Sequence, residues 1–386
     1  MESMQVSRRG MLGIMGGGAA VAASVVASGG SPAQASTFGG SVLHVAPHGN
    51  DSNSGTLIRP FRTIGAAYRR ADPGDTVLVE PGVYTEPDEL TLDRSGTAAA
   101  PIVIRSRVKH RAVIENYTSN NLIAVRGASH NVVQDFEMRG SKLCGIYIVT
   151  GDFLQVIGND IHHTGIAPTT EPYGQEGILS SAGTRGHSYI GNLIHHNGRP
   201  WDVEPGWDVD HGMYLQADDE LIVNNVIAYN RDNGIQVAGY ETVSNMRIYQ
   251  NVLAGNGHGG MVLWMPVDGV KIRNNIFADN GQRDAYAGLW SYDAHGTGVE
   301  ISHNCFWGNA GGALDTTGGG SDYAVVVEDV FEYDPLFKDP SHMDFRLRLT
   351  SPAINAGTTI PGIRTDILGR PRVRGGRPDL GAYEMR

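Results

Sequence analysis

The sequence predicts an all-β, single-domain solenoid of stacked parallel coils, because asparagines recur at fixed places between short alternating strands and glycine-rich turns. Between residues 156 and 309, a unit of the form apolar-x-x-Asn-x-apolar repeats at intervals of 33, 33, 26, 24 and 29 residues. Its first asparagines are Asn159, Asn192, Asn225, Asn251, Asn275 and Asn304, and five units have a second one: Asn197, Asn230, Asn256, Asn280 and Asn309. Such periods are typical of stacked units. Asparagines at one corner can form a side-chain ladder along the stack.

Each coil also contains a strand that begins with glycine and continues with alternating residues. Side chains alternate between the faces of a strand, so the residue after each glycine is predicted to point into the core. These inward residues are Ile146, Ile178, Met213, Ile235, Met261 and Leu289. The next residues are predicted to form an outward row, which comprises Tyr147, Leu179, Tyr214, Gln236, Val262 and Trp290 and continues two places further on with Gln216, Trp264 and Tyr292.

Residues 1–35 have the features of an export signal and are left out of the fold prediction. The motif SRRGML at residues 7–12 precedes an uncharged stretch, and AQA at residues 33–35 provides a small-residue cleavage site. This arrangement is typical of a twin-arginine signal peptide. An N-terminal membrane helix is disfavoured because the stretch is rich in glycine and no stop-transfer charges follow it. We therefore expect a secreted bacterial protein whose mature domain spans residues 36–386.

The mature chain is acidic, with 28 Lys and Arg against 40 Asp and Glu and a formal charge of −12. This charge disfavours nucleic acid as a partner, and an anionic polymer needs local arginines in its binding cleft. We expect no membrane partner after signal removal, and we expect a monomer. The two cysteines, Cys144 and Cys305, make no disulfide framework.

The order of asparagine corner, variable loop and glycine-led strand resembles the right-handed parallel β-helix of pectate-lyase-like proteins. The segments HVAPHGND at residues 44–51 and PFRTI at residues 60–64 resemble the start of bacterial secreted β-helix proteins, and PDLGAYE at residues 378–384 resembles their end. Residues 61–71 are predicted to form a short amphipathic capping helix. We expect an N-terminal cap over about 36–100, asparagine coils over about 130–310 and a C-terminal capping segment over about 330–386.

The resemblance implies that the substrate cleft lies along the glycine-led strands. The loops that precede these strands form its walls. Two of these loops are long here, at residues 164–176 and 198–210. The second carries Trp201 and Trp207, and tryptophan is costly to expose, so stacking on sugar rings is favoured over a structural plug. Gln236, Trp264 and Trp290 in the outward face are further candidates for substrate binding.

Asp210, His211 and Tyr214 are the candidate catalytic residues, because they lead from the second long loop into a glycine-led strand. The Cα atoms of His211 and Tyr214 should lie about 10 Å apart, so both side chains can converge on one sugar. β-Elimination from a uronate removes a proton from C5 and delivers one to O4, and a histidine and a tyrosine can share these tasks in either order. A turn histidine and an ordinary outward tyrosine are the structural alternatives.

Charged and histidine side chains around these residues are candidates for supporting roles. A guanidinium can grip a carboxylate through two hydrogen bonds and lower the pKa of a nearby tyrosine, and the candidates are Arg185, Arg199 and Arg231. Four histidines occupy equivalent places on adjacent coils, where structural rungs are favoured over a proton relay: His162, His163, His195 and His196.

A calcium site is implied by the resemblance, because many pectate lyases use calcium. Glu176 and Asp208 would offer the hard oxygen ligands that this ion prefers. Carboxylates are equally expected for binding sugar hydroxyls, so the sequence requires no cofactor and leaves Ca²⁺ as an alternative.

The resemblance implies a secreted polysaccharide lyase that acts on a uronate polymer such as alginate or pectate. The pectate lyase families typically use a lysine or arginine base with an aspartate cluster, whereas the His/Tyr arrangement is similar to that of alginate lyases. A C5-epimerase is the first alternative, because DVDH at residues 208–211 loosely resembles the Asp-Pro-His signature of mannuronan epimerases. A glycoside hydrolase would use two carboxylates from Glu176, Glu204, Asp208 and Asp210. A glycan-binding solenoid without catalysis is also open.

Overall fold

A computed structural model describes residues 39–166, 174–200, 202–203, 209–239 and 241–385 of the chain. It confirms the predicted all-β fold of stacked parallel coils. The predicted export signal at residues 1–35 lies outside the described residues. Within the described ranges, no helix has the length and apolar character needed to span a membrane.

The strands are short and follow one another around the coils. The first half contains β1 (Val42–Val45), α1 (Ile64–Tyr68), β2 (Thr76–Val79), β3 (Gly82–Tyr84), β4 (Leu90–Leu92), β5 (Ile102–Ser106), β6 (Ala112–Glu115), β7 (Asn121–Arg126), β8 (Asn131–Gln134), β9 (Glu137–Arg139), β10 (Cys144–Thr150), β11 (Gln155–Ile157), β12 (Asp160–His162), β13 (Ile178–Ser180), β14 (Ser188–Ile190) and β15 (Leu193–His195). The second half contains β16 (Met213–Leu215), β17 (Leu221–Val223), β18 (Val226–Ala228), β19 (Ile235–Val237), β20 (Val243–Ser244), β21 (Arg247–Tyr249), β22 (Val252–Ala254), β23 (Met261–Asp268), β24 (Lys271–Arg273), β25 (Ile276–Ala278), β26 (Leu289–His295), β27 (Val299–Trp307), β28 (Leu314–Asp315), β29 (Val325–Glu332), β30 (Phe337–Asp339), a 3₁₀ turn (Pro340–His342) and β31 (Asp344–Leu347).

Three stacks of parallel strands form the faces of the solenoid. The glycine-led sheet consists of β4, β7, β10, β13, β16, β19, β23, β26 and β28, with the short β20 paired beside β23. A second stack runs from β1 through β2, β5, β8, β11, β14, β17, β21 and β24 to β27. The third runs from β3 through β6, β9, β12, β15, β18, β22 and β25, and it also meets the long strand β27.

The predicted alternation of the glycine-led strands is confirmed on its inward side. In the register of this sheet, Ile178 lies opposite Met213, which lies opposite Ile235. All six predicted inward residues are completely buried. On the outward side, Tyr147, Leu179, Tyr214 and Trp290 are half-buried. Gln236 and Val262 are buried, so this part of the outward row is covered rather than open.

The recurring asparagines form two continuous ladders inside the coils. In the first, each backbone N–H from Asn159 to Asn275 donates to the Oδ1 atom of the next asparagine, at 2.8–2.9 Å. The second ladder runs from Asn197 to Asn309 with distances of 3.1–3.2 Å. Thr164 takes the first place of this ladder, because both its backbone N–H and its hydroxyl donate to Asn197.

The predicted capping helix is present but shorter than expected. It spans Ile64–Tyr68 rather than residues 61–71, and all five of its residues are buried. The Thr63 side chain caps its start by accepting a hydrogen bond from the Ala66 backbone N–H. The helix packs against β1, β2 and β4, so it covers the apolar end of the first coil.

The C-terminal segment lies along the flank of the coils. The outward side chains of the third stack there are small and apolar, as at Ala228, Ala254 and Ala278, and they form one buried cluster with Phe345 and Leu380. Hydrogen bonds from Asn224 to the Thr365 carbonyl and from Asn274 to the Thr358 carbonyl hold the segment in place. The segment therefore covers an apolar face of the third stack.

The four histidines of adjacent coils stack as rungs. The rings of His162 and His195 are parallel with centroids 5.0 Å apart, and those of His163 and His196 are parallel at 5.4 Å. Within each coil the two Nδ1 atoms lie 2.8 Å apart, so one nitrogen donates to the other. Burial lowers the pKa of His162 and of His196 to about 4, so both are neutral at pH 7.

The ladder predicts that Asn225→Ala will lower the free energy of unfolding by about 3 kcal/mol, because buried polar groups lose their partners. The substitution removes the Oδ1 acceptor of the Asn192 N–H and the donor to the Tyr189 carbonyl. Urea denaturation followed by circular dichroism measures the change. The control is Asn120→Ala on the exposed surface, which we expect to have little effect. Equal stability of the two variants would contradict a supporting role for the ladder.

Candidate functional site

Polar side chains recur in the two positions before the glycines of the central coils, from Gly145 to Gly260. The position directly before glycine forms the inner column, which contains Cys144, Glu176, His211 and Asn233. The position before that forms the outer column, which contains Gln175, Asp210, Asp232 and His258. All eight are buried. Because parallel pairing stacks equivalent positions, residues far apart in the chain meet in these columns.

Asp210 joins the ends of the two long loops. Its carboxylate accepts hydrogen bonds from the backbone N–H groups of Gln175 and Arg199. The guanidinium groups of Arg199 and Arg231 each lie 3.6 Å from it. Burial raises the pKa of Asp210 to about 6, although the Arg199 N–H and both arginines oppose this shift, so the group is ionised at pH 7. These contacts position the ends of the loops, and a catalytic role for Asp210 stays a prediction.

The three predicted arginines do not line an open cleft together. Arg199 and Arg231 are buried, and Arg231 also donates to the carbonyl groups of Pro200 and Val203. Arg185 is exposed at the turn after β13, where its guanidinium lies 5.9 Å from the centre of the Phe153 ring. Arg199 and Arg231 thus contact Asp210, and Arg231 also binds Pro200 and Val203; their grip on a substrate carboxylate stays a prediction.

His211 and Tyr214 come together as predicted, although His211 is buried. Their ring centroids are 5.8 Å apart with the planes nearly perpendicular. The Nδ1 atom of His211 accepts a hydrogen bond from the Asn233 N–H. Among the described residues, its Nε2 atom is buried without a hydrogen-bond partner. Burial lowers the pKa of His211 to about 3, so the ring is neutral at pH 7 and carries its proton on Nε2.

The coils that follow Asp210 contain a cluster of charged residues and one histidine that the sequence did not lead us to predict. Asp232 accepts a hydrogen bond from the Asp210 N–H at 2.8 Å and another from Arg283 Nη1 at 2.9 Å. His258 Nε2 lies 2.6 Å from an Asp284 oxygen and 3.8 Å from Asp232. The recurrence of polar residues two places before each glycine could have identified Asp232 and His258. Nothing local in the sequence marks Arg283, because its loop meets Asp232 only through the stacking of coils.

The outward aromatic residues form a cluster at one end of the glycine-led sheet. Trp290 stacks on Tyr286 with ring centroids 4.5 Å apart, and its Nε1–H donates to Asn233 Oδ1. Trp264 packs edge-on against Tyr292 at 5.5 Å. Both predicted tryptophans are half-buried and next to the polar columns, whereas Gln236 is only 4% exposed and does not offer an open contact surface. Trp201, Trp207, Glu204 and Asp208 lie outside the described residues.

Glu176, one of the two predicted calcium ligands, is completely buried. Burial raises the pKa of Glu176 to about 8, so the group is protonated at pH 7, and its Oε2 atom accepts a hydrogen bond from the Cys144 thiol. Calcium prefers ionised oxygen ligands. No group of three His, Cys, Asp or Glu side chains in the described part of the chain is arranged to hold a metal ion. Asp208, the other predicted ligand, lies outside the described residues, so calcium binding by this pair stays a prediction.

Comparison with known proteins gives matches of both sequence and fold. A profile described as the Pel9A-like, right-handed β-helix region matches residues 43–192. Pectate lyase L of Dickeya dadantii is 24% identical over 399 residues, which cover 89% of this chain and 90% of the relative. The uncharacterised protein YwoF of Bacillus subtilis is 25% identical and aligns with 75% of this chain and 68% of its own length.

A solved structure supports the same assignment of fold. The crystal structure of pectate lyase Pel9A has a TM-score of 0.59 and 17% sequence identity, and it covers 90% of this chain and 96% of its own. The right-handed sense of the coils, which the sequence resemblance implies, agrees with the matching profile. In sequence and in fold, the chain is thus similar to pectate-lyase-like right-handed parallel β-helix proteins.

Proposed function

We propose that this protein is a secreted polysaccharide lyase that cleaves a uronate polymer by β-elimination, with polygalacturonate as its first candidate substrate. The observation that carries this proposal is the alignment with pectate lyase L, which covers 89% of this chain and 90% of that enzyme. A match of this extent includes the coils that hold the polar columns. Alginate is the second candidate substrate, because the same chemistry applies to its uronates.

The reaction makes three demands on the site. The uronate carboxylate must be neutralised by hydrogen bonds or a cation so that the C5 proton becomes more acidic. A base then removes this proton, and the electrons of the C–H bond form the C4–C5 double bond as the C4–O4 bond breaks. Finally, O4 of the leaving sugar takes up a proton. The products are a new reducing end and an unsaturated uronate that absorbs ultraviolet light.

His211 fits the task of hydrogen-bond donor better than that of base. With a pKa of about 3, its ring has little affinity for a proton at pH 7. The Asn233 N–H occupies Nδ1, which leaves the proton on the unpartnered Nε2 atom. A buried donor of this kind gains energy from an acceptor that replaces lost hydration. We therefore assign His211 to donate a hydrogen bond to the bound substrate.

Tyr214 is then the group assigned to proton transfer. It is half-buried on the outward face, in edge contact with His211. A tyrosine has a pKa of about 10 in water, so a cation near the substrate assists its ionisation. Arg283 is the candidate cation in place of Arg199 and Arg231, because its side chain is 20% exposed and its Nη1 atom is held by Asp232.

The aromatic cluster offers a surface for the neighbouring sugars. Trp290, Tyr286, Trp264 and Tyr292 lie on the same face as Tyr214, on the coils that follow it. Aromatic faces bury the apolar side of a sugar ring while its hydroxyl groups stay hydrated. A polymer that runs along the glycine-led sheet would therefore contact both Tyr214 and this cluster.

The buried position of His211 predicts that its ring stays neutral, with the proton on Nε2, from pH 8 down to about pH 4. Nitrogen NMR of histidine-labelled protein measures the tautomer directly. His295 is the internal control, because the hydrogen bond to Asp322 raises its pKa above the ordinary value of 6.5, so its ring should be protonated in the lower part of this range. A His211 resonance that titrates near pH 6.5 would contradict the proposed donor role.

The lowered pKa of His211 also makes the free energy of unfolding depend on pH. The unfolded His211 takes up a proton near pH 6.5, whereas the folded one does so only near pH 3. The unfolded state therefore binds more protons between these values, and the contribution of His211 makes the free energy of unfolding fall as the pH is lowered from about 6.5 towards 3. His211→Asn should lessen this dependence, which urea denaturation at pH 7 and pH 5 measures.

The proposed reaction predicts that the purified protein will raise both ultraviolet absorbance and reducing ends when incubated with polygalacturonate. Tyr214→Phe should lower kcat at least about a hundredfold, because the group that transfers the proton is lost. Tyr147→Phe is the matched control, since Tyr147 occupies the same outward row two coils earlier. The assays are run with added calcium and with a chelator, and with alginate as a second polymer.

Ultraviolet absorbance and reducing ends together distinguish a lyase from a hydrolase and from a C5-epimerase. Reducing ends without absorbance would replace the lyase by a hydrolase that uses Asp and Glu side chains. Absence of both signals, together with a change in the uronate composition of the polymer, would replace it by a C5-epimerase. Full activity of Tyr214→Phe would leave the lyase in place and remove Tyr214 from the mechanism.

A further inference from the structure

A cleft of about 580 Å³ lies on the C-terminal segment, outside the candidate site on the glycine-led sheet. Its walls come from β30, β31 and the last residues of the chain. One lining residue, Glu384, is acidic, and four are cationic: Lys338, Arg346, Arg348 and Arg370. The segment packs on the third stack of strands, from which each coil passes through a loop into the glycine-led sheet. The cleft therefore lies on a different face from His211 and Tyr214.

The charge of this region is opposite to that of the rest of the protein. Residues 338–386 contain nine Lys and Arg but five Asp and Glu, which gives a formal charge of +4. The whole chain has a formal charge of −11. A basic cleft in an acidic protein concentrates the attraction for anions at one place, because like charge elsewhere repels them.

Three of the four cations lack a direct ion pair, although Asp344 lies near Lys338 and the Glu384 backbone carbonyl accepts a hydrogen bond from Arg370. Arg346 forms a double hydrogen bond with Asp344. Lys338, Arg348 and Arg370, by contrast, have no carboxylate oxygen within 4.0 Å in the described part of the chain. The Arg348 guanidinium donates to the Lys338 carbonyl at 3.1 Å, which holds two of these cations side by side. Their positive charge is thus available to an anion in the cleft.

The backbone beneath these cations is firmly anchored. The strands β30 and β31 pair antiparallel, with Phe337 opposite Leu347. Phe345 and Leu347 are buried against the third stack, while the alternating Arg346 and Arg348 are exposed. Because the strand is already held in place, its charged side chains lose little backbone entropy when a ligand binds. Tyr383 and the 82% exposed Leu349 add apolar surface to the same cleft.

We propose that this cleft is a second binding site for an acidic polysaccharide, which holds the carboxylates of a uronate chain with Lys338, Arg348 and Arg370. The identity of the polymer rests on the proposed function. A uronate chain carries one carboxylate on each sugar and presents apolar ring faces, which match the separate cations and the Leu349 and Tyr383 surface. Nucleic acids and anionic membranes need a broader basic face, which the strongly acidic remainder of the protein opposes.

A second site of this kind would keep a long polymer near the glycine-led sheet. Once one part of a chain is held, the other parts are present at a high local concentration. The gain applies to polymers long enough to reach both sites and is lost for short oligomers. The second site should therefore lower KM for long substrates and leave kcat unchanged.

The test is the triple variant Lys338→Gln, Arg348→Gln and Arg370→Gln in the full protein. Binding to polygalacturonate is measured by affinity electrophoresis in native gels at low temperature. We expect the Kd to rise about tenfold, since three exposed charge contacts are lost. The matched control, Arg59→Gln, Arg62→Gln and Arg111→Gln, makes the same change in net charge at exposed arginines of the N-terminal part and should bind normally.

Binding measurements under other conditions and with other ligands identify the class of ligand. Binding should weaken when the polymer carboxylates are methyl-esterified and when the salt concentration is raised. Unchanged binding of the triple variant would overturn the second site, as would an equal loss in the control variant. Equal affinity of the cleft for DNA or for phosphatidylserine vesicles at the same salt concentration would overturn the assignment to polysaccharide.

The experiment separates this inference from the proposed reaction. If the protein binds polygalacturonate through the cleft but cleaves none of the uronate polymers, the second site stands and the lyase proposal fails. If the protein cleaves polygalacturonate and the triple variant keeps the KM and Kd of the unaltered protein, the lyase proposal stands and the second site fails.

Discussion

The asparagine ladders are the interaction on which the rest of this structure depends. Each asparagine uses its side-chain oxygen to accept from the coil before it and its amide to reach a backbone carbonyl, as Asn225 does between Asn192 and Tyr189. Because these groups are buried, a shift of one coil would leave several of them unpaired, which is costly. The ladders therefore fix the register of the coils between Asn159 and Asn309. The register in turn determines which residues meet on the outer faces, including the polar columns.

Fixed register makes the columns possible, since a parallel stack places equivalent positions above one another. Glu176, His211 and Asn233 are brought together although loops of different length separate them in the chain. Variation in loop length changes what surrounds a column without moving it. This is how a repetitive scaffold can support an irregular site: the coils position the backbone, and the loops supply groups such as Arg199 and Arg283.

Burial gives the ionisable groups of the site two different roles: some stabilise the fold as ion pairs, and one is kept neutral for the proposed chemistry. Asp210 lies between two buried arginines, so its charge is compensated within the protein and stabilises the ends of the long loops. His211 has no ionic partner of this kind, and burial keeps its ring neutral with one unpartnered N–H. The same physical effect, loss of hydration, thus produces an ion cluster in one column and a neutral donor in the other.

The sequence by itself determined the all-β coils, the inward residues of the glycine-led strands and the positions of the ladders, because these follow from local periodicity that repeats along the chain. It also brought His211 and Tyr214 together, since the two residues lie only three positions apart in the chain. Only the tertiary structure decided that Arg199 and Arg231 face Asp210 and that Arg283 meets Asp232. The pairs made by Arg231 and Arg283 join different coils, and the pair made by Arg199 joins the two ends of one long loop. None of these contacts follows from the repeat, so each depends on the folded solenoid. The basic cleft arises for the same reason, because the C-terminal segment acquires its place by packing on strands distant in sequence.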